Sequence, residues 1–134
     1  KSVSKEEVNA FIKNRYPTIS SGQLSDFKYP ENYPFWDDKY EELLKFKGFA
    51  RALISTVKNH KNLDLENKEI SDSNKKVYTI WGDSDSVVIF NDIKGKLNKL
   101  LPNRFEYTVP NSGHLPHIEN QSDFEKYLFE VVLK

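Results

Sequence analysis

Two stretches of this sequence hold the groups that could move a proton near neutral pH. In Trp81-Gly82-Asp83-Ser84-Asp85-Ser86-Val87-Val88, two carboxylates follow an apolar, β-prone run that breaks at Gly82. In Val109-Pro110-Asn111-Ser112-Gly113-His114-Leu115-Pro116-His117-Ile118-Glu119, a strand-like run stops at a proline, and a turn of Asn, Ser and Gly delivers His114 into a loop. An imidazole at the rim of a sheet is well placed to act as a general base, because its charge changes near neutrality. A carboxylate accepting its Nδ1 hydrogen would hold the tautomer and stabilise the imidazolium. Taken alone, His114 could equally be a histidine packed in a turn; the acid loop is what favours the chemical reading.

The two loops can meet only if they leave a sheet at the same edge. Between them Ile93, Leu97, Leu100 and Leu101 form one apolar stripe, so the order is strand, acid loop, helix, strand, histidine loop. Such a βαβ unit has parallel strands and a right-handed crossover, which brings both loops to one rim. The first strand is predicted over Val77 to Trp81, nearly continuous in apolar residues, as in a strand covered on both faces. The second is predicted over Phe105 to Val109, where Phe105, Tyr107 and Val109 alternate with Glu106 and Thr108, as at a less buried edge. Gly95 weakens the intervening helix by about 1 kcal/mol relative to Ala. A last helix is predicted from a capping box at Ser122 to Glu125, with Phe124, Tyr127, Leu128, Val131 and Val132 on one face.

The amino-terminal half reads as a helical layer. Ser4-Lys5-Glu6-Glu7 has the form of a capping box, Val3 and Val8 suit a hydrophobic staple, and Val8, Phe11 and Ile12 share a stripe. These predict a short helix over residues 5–15, ending before Tyr16-Pro17. Pro17 to Pro34 lacks a sustained period and reads as a long loop with Phe27, Tyr29 and Tyr33. Trp36, Tyr40, Leu43 and Leu44 then face away from Asp37, Asp38, Glu41 and Glu42, and the early acids suit a helix dipole. After Lys47-Gly48, Phe49, Ala52, Leu53, Thr56 and Val57 define a further stripe to Asn59-His60. The chain is thus organised as a helical segment over residues 1–62, a polar surface connection over 63–75 and a β-α-β-α segment over 76–134.

Composition bounds the rest. A length of 134 residues suits one domain with a modest core. Lys and Arg number 20 and Asp and Glu 20, which leaves no electrostatic footprint for nucleic acid or an anionic membrane. Without cysteine there is neither a disulfide framework nor a Cys-based metal site. There is no membrane-length apolar run and no signal-peptide pattern, so the default compartment is cytoplasmic. The lack of any methionine predicts that the chain begins inside a longer reading frame. His114, His117 and Glu119 lie on a proline-bearing loop with no further ligand nearby, and no metal or cofactor is expected. His117 is expected to pack or hydrogen-bond beneath the loop. Glu119 either accepts backbone N–H groups that brace the loop or is an ordinary helix-start acid.

WGDSDSVV, followed by a helix and then VPNSGHLPHIEN, resembles the C-terminal part of an α/β-hydrolase, in which the acid and histidine of a Ser-Asp-His triad stand in this chain order. FKGFARALISTVKN is similar to the last cap helices of that family. The resemblance implies an α/β fold class: a helical cap or lid over residues 1–62, then β-α-β-α of a parallel sheet that is incomplete without an N-terminal half lying outside the sequence. It assigns the triad acid to Asp85, three residues after Gly82, with Asp83 as the rival that could cap the turn instead. His114 would be general base and then general acid. The nucleophile elbow G-x-S-x-G is missing, since Ser84, Ser86 and Ser112 lack its flanking glycines, and so are the oxyanion-hole amides. Residues 1–134 alone are therefore expected to be inactive. The implied parent is a serine hydrolase of carboxylic esters, with a lipid-like or hydrophobic acyl substrate such as a monoglyceride or lysophospholipid. The alternatives are a non-catalytic ligand- or partner-binding member, or an epoxide hydrolase or peptidase of the same fold. Two strands leave an open edge, so the expected partner is the missing half, with oligomers through that edge as the other outcome.

Overall fold

The computed structural model describes all 134 residues. They form two compact units that interleave along the chain: Lys1–Leu24 with Glu31–Lys61, and Ser25–Pro30 with Asn62–Lys134.

The first unit consists of α1 (Lys5–Gly22), α2 (Trp36–Leu44) and α3 (Phe49–Asn59). The capping box is formed: Glu7 N–H donates to Ser4 Oγ at 3.2 Å and Ser4 N–H donates to Glu7 Oε2 at 2.8 Å. The helix does not end before Pro17, however; it runs to Gly22 with Pro17 inside it. Packing of α1 against both other helices outweighs the donor that proline removes. Residues 17–34 are therefore not a long loop but a helix end followed by two 3-10 turns, Gln23–Asp26 and Pro30–Asn32. Tyr40 meets Phe49 edge-on at 6.0 Å across the short α2–α3 turn, where Gly48 takes φ 93°. That left-handed conformation suits glycine.

In the second unit β1 (Tyr78–Gly82) and β2 (Phe105–Val109) pair in parallel, from Tyr78 opposite Phe105 to Gly82 opposite Val109, and α5 (Phe90–Leu100) connects them. Tyr78 to Trp81 are only half-buried, contrary to the expectation of a strand covered on both faces, because the sheet has two strands. Residues 63–75 are not a bare connection either: α4 spans Asp64–Asp72. Charge rather than an apolar stripe supports it, through Lys68–Asp72 at 2.7 Å within α4 and Asp64–Lys96 at 2.6 Å to α5. Beyond β2 come α6 (Pro116–Glu119), α7 (Gln121–Tyr127) and a π-helical turn, Leu128–Val132. The expected capping box at Ser122 is not used. Asn120 caps α7 by accepting from Asp123 N–H at 3.4 Å, and its own amide donates to Pro110 O at 3.0 Å, so the cap is set by the strand end. Tyr107 stacks on Tyr127 at 4.3 Å. No helix is long and apolar enough to cross a membrane.

Candidate active site

Because β1 and β2 run parallel and in register, Gly82 and Val109 end at one rim and the two loops start side by side. Asp83 N–H donates to Val109 O at 3.1 Å and Ser84 N–H to Ser112 O at 2.9 Å, which zips the loops together. A Cβ on Gly82 would stand 2.5 Å from Ser112 O and closer still to Gly113 O. Only glycine fits there. Gly113 is equally confined, since a Cβ would lie 2.6 Å from Asp26 O and 2.8 Å from Lys28 N. Asn111 turns the chain out of β2 at φ 55°, a left-handed conformation that Asn tolerates.

Four consecutive amides of the histidine loop each find an acceptor. Asn111 N–H donates to Asp83 Oδ2 at 3.0 Å, Ser112 N–H to Asp83 Oδ1 at 3.2 Å, Gly113 N–H to Glu119 Oε1 at 2.6 Å and His114 N–H to Asp26 O at 2.7 Å. The loop is therefore held by two carboxylates and a carbonyl. Asp83 serves this turn and not the imidazole. Burial pushes its carboxyl up, but the Asn111 amide, the Ser84 hydroxyl, the Ser112 amide and the Lys28 ammonium together hold it below the usual range. The other oxygen of Glu119 accepts from Lys28 N–H at 2.8 Å and Tyr29 N–H at 3.4 Å.

Asp85 and His114 are brought together, with Oδ2 at 2.9 Å from Nδ1. The second Asp85 oxygen accepts from Val87 N–H at 2.9 Å and Val88 N–H at 2.8 Å, so the carboxylate is pinned on both sides. The Asp85 side chain is 6% exposed and that of His114 36%. Burial pushes the Asp85 carboxyl up; the His114 hydrogen bond and the Val88 and Val87 amides outweigh it and hold the group below its ordinary 3.8. An ionised carboxylate only accepts, so Nδ1 carries the hydrogen and the lone pair of a neutral ring sits on Nε2. That nitrogen is the one fit to take a proton.

The remaining residues fall into place around this pair. Ser84, Ser86 and Ser112 donate their hydroxyls to Asp83 Oδ1 at 2.8 Å, Ser25 O at 3.4 Å and Pro110 O at 3.1 Å, and none is bonded to the imidazole. His117 is not beneath the loop; it is exposed, its ring 5.9 Å from that of Phe124. No group of three or more His, Cys, Asp or Glu is arranged to hold a metal ion. The sequence reading did not foresee the segment Ser25–Pro30, whose Asp26 and Lys28 meet the histidine loop. Burial raises the Asp26 carboxyl and the Asp85 charge adds to that, while His114 opposes it. The available sequence signal was Phe27, an aromatic in a polar stretch, which the structure buries.

Over 132 residues the chain is 30% identical to an uncharacterized hydrolase, YugF, of Bacillus subtilis (strain 168). The match covers 97% of this chain but 43% of that protein, so the chain spans less than half the length of the curated relative it matches. The similarity supports kinship with a hydrolase. No protein-family model matches the chain, and no solved structure matches it.

Proposed function

We propose that this chain is the C-terminal part of an α/β-hydrolase, a serine hydrolase of carboxylic esters, with Asp85 as triad acid and His114 as base. The observation that carries the reading is the 2.9 Å contact between Asp85 Oδ2 and His114 Nδ1 at the rim of two parallel strands. The hydrolase relative supports it. Asp85 holds the ring with Nε2 available, and Nε2 removes the proton from a serine hydroxyl contributed by polypeptide outside residues 1–134. The serine oxygen attacks the ester carbonyl. His114 returns the proton to the departing alkoxide, and the acyl-enzyme forms; water, deprotonated by the same nitrogen, then releases the acid and restores the serine. The imidazolium formed midway is stabilised by the Asp85 charge. A hydrophobic acyl substrate, such as a monoglyceride or lysophospholipid, is the class we assign, on the strength of the amphipathic helices α2 and α3 in the first unit, which resemble those of a cap.

The test is a fluorophosphonate probe on the full-length protein, followed by a panel of acyl esters, peptides and epoxides. Labelling that is lost in His114→Ala supports the triad. An intact, folded protein that takes no label and turns over no ester overturns the serine-hydrolase reading and leaves binding without turnover.

A further inference from the structure

We infer that Glu119 is a positioning residue for His114, acting by latching the segment Ser25–Pro30 onto the histidine loop; the kinetic part of this inference rests on the ester-hydrolase reading above. Glu119 is half-buried and uses its carboxylate in two directions. One oxygen accepts from Gly113 N–H at 2.6 Å, immediately before His114, and the other from Lys28 N–H at 2.8 Å and Tyr29 N–H at 3.4 Å, about 90 residues away in sequence. The latched segment then supplies the Asp26 carbonyl that accepts the His114 N–H at 2.7 Å. Lys28 closes the far side, its Nζ donating to Asn111 Oδ1 at 3.2 Å and standing 3.6 Å from Asp83 Oδ1. Glu119 thus makes no hydrogen bond to the imidazole, yet it fixes the peptide on which the imidazole is mounted.

The chemistry of the carboxylate is what the latch needs. Ionised, it is acceptor-only and can receive N–H groups on both oxygens. A glutamine has the same shape but only one accepting oxygen, and its NH2 would face a donor on either the Gly113 side or the Lys28 side. Glu119→Gln therefore breaks one half of the latch with little change in volume. A displacement of the base by about 1 Å is enough to slow catalysis on the order of a hundredfold.

The experiment compares wild type and Glu119→Gln in the full-length protein by ester kinetics, the low-field Nδ1–H proton resonance of His114 and amide exchange at Gly113, His114 and Lys28. We expect kcat to fall at least about tenfold with KM held within about twofold. The Nδ1–H resonance should shift or vanish and the three amides should exchange faster. Ser4→Ala, which loosens the α1 cap instead, should leave the resonance and kcat unchanged. A folded Glu119→Gln protein with wild-type kcat, resonance and exchange overturns the inference, as does a fall in kcat with resonance and exchange untouched. Should Glu119→Gln not fold, Glu119→Asp, which keeps the carboxylate but shortens its reach to the Gly113 and Lys28 amides, carries the same readouts in the same direction, and their constancy there overturns it. If the parent hydrolyses no ester, resonance and exchange decide the latch independently.

Discussion

The rim that carries His114 and the three-helix unit are built on opposite principles. At the rim Val109 and Ser112 are fully buried, two glycines leave no room for a methyl group, and successive amides are matched to named acceptors. In the helical unit only Ala50 and Ser20 are buried, while Val57, Phe35 and Phe46 are 79%, 69% and 67% exposed. Phe11, Ile19, Tyr40, Leu53 and Ile54 line an open groove of about 530 Å³. A region that must hold an acid and a base at hydrogen-bond distance is over-determined by polar contacts. A region held by amphipathic stripes tolerates slack.

Substitutions should reveal that contrast in order of size. Asp85→Asn, which reverses the acceptor facing Nδ1 and favours the wrong tautomer, should on the proposed ester-hydrolase reading lower kcat of the full-length protein by about 10⁴-fold while the fold is retained; steady-state kinetics beside a circular-dichroism spectrum checks it. Gly82→Ala should destabilise the second unit by about 1–3 kcal/mol or more, because its Cβ meets two backbone carbonyls that cannot rotate away; a lowered urea midpoint is the readout.

The acids should then separate by sign. Asp85 has a folded pKa below its unfolded value, so its stabilisation is complete above the unfolded 3.8 and is lost as pH falls through the folded value. Asp26 is raised, so its charge opposes folding once pH exceeds the unfolded 3.8. Asp26→Asn should therefore leave stability equal or higher at neutral pH, and Asp85→Asn should lower it and flatten the acid limb of the unfolding curve. The smallest effect belongs to the helical unit. Lys58 lies 2.7 Å from Glu7, both partly exposed, and Lys58→Met should barely move the thermal midpoint, less still in high salt.

Much of the rim was legible in sequence because its signals are local. An apolar run broken by Gly82, a stripe at Ile93, Leu97 and Leu100, and an alternating Phe105 to Val109 each announce an element within a few residues. The kinship of Asp85 and His114 with a parallel pair of strands followed from chain order. What escaped was set by distance or by charge. Pro17 inside α1 is tolerated because of packing that no window of sequence displays. The α4 helix is supported by Lys68–Asp72 and Asp64–Lys96, with Leu65 76% exposed, so it has no stripe to detect. Asp26 and Lys28 reach the histidine loop across most of the chain, and the boundary drawn at residue 62 put them with the helices.

That long reach has a temporal side. Lys28 leaves the ribosome 91 residues ahead of its acceptor Glu119, which at about 5–20 residues per second is a lag of roughly 5–20 seconds. Throughout it the Lys28 N–H lacks the acceptor that it has in the folded protein. The histidine loop thus acquires its native surroundings only once Glu119 has been made, and a translational pause after β2 would prolong the interval in which its amides face solvent.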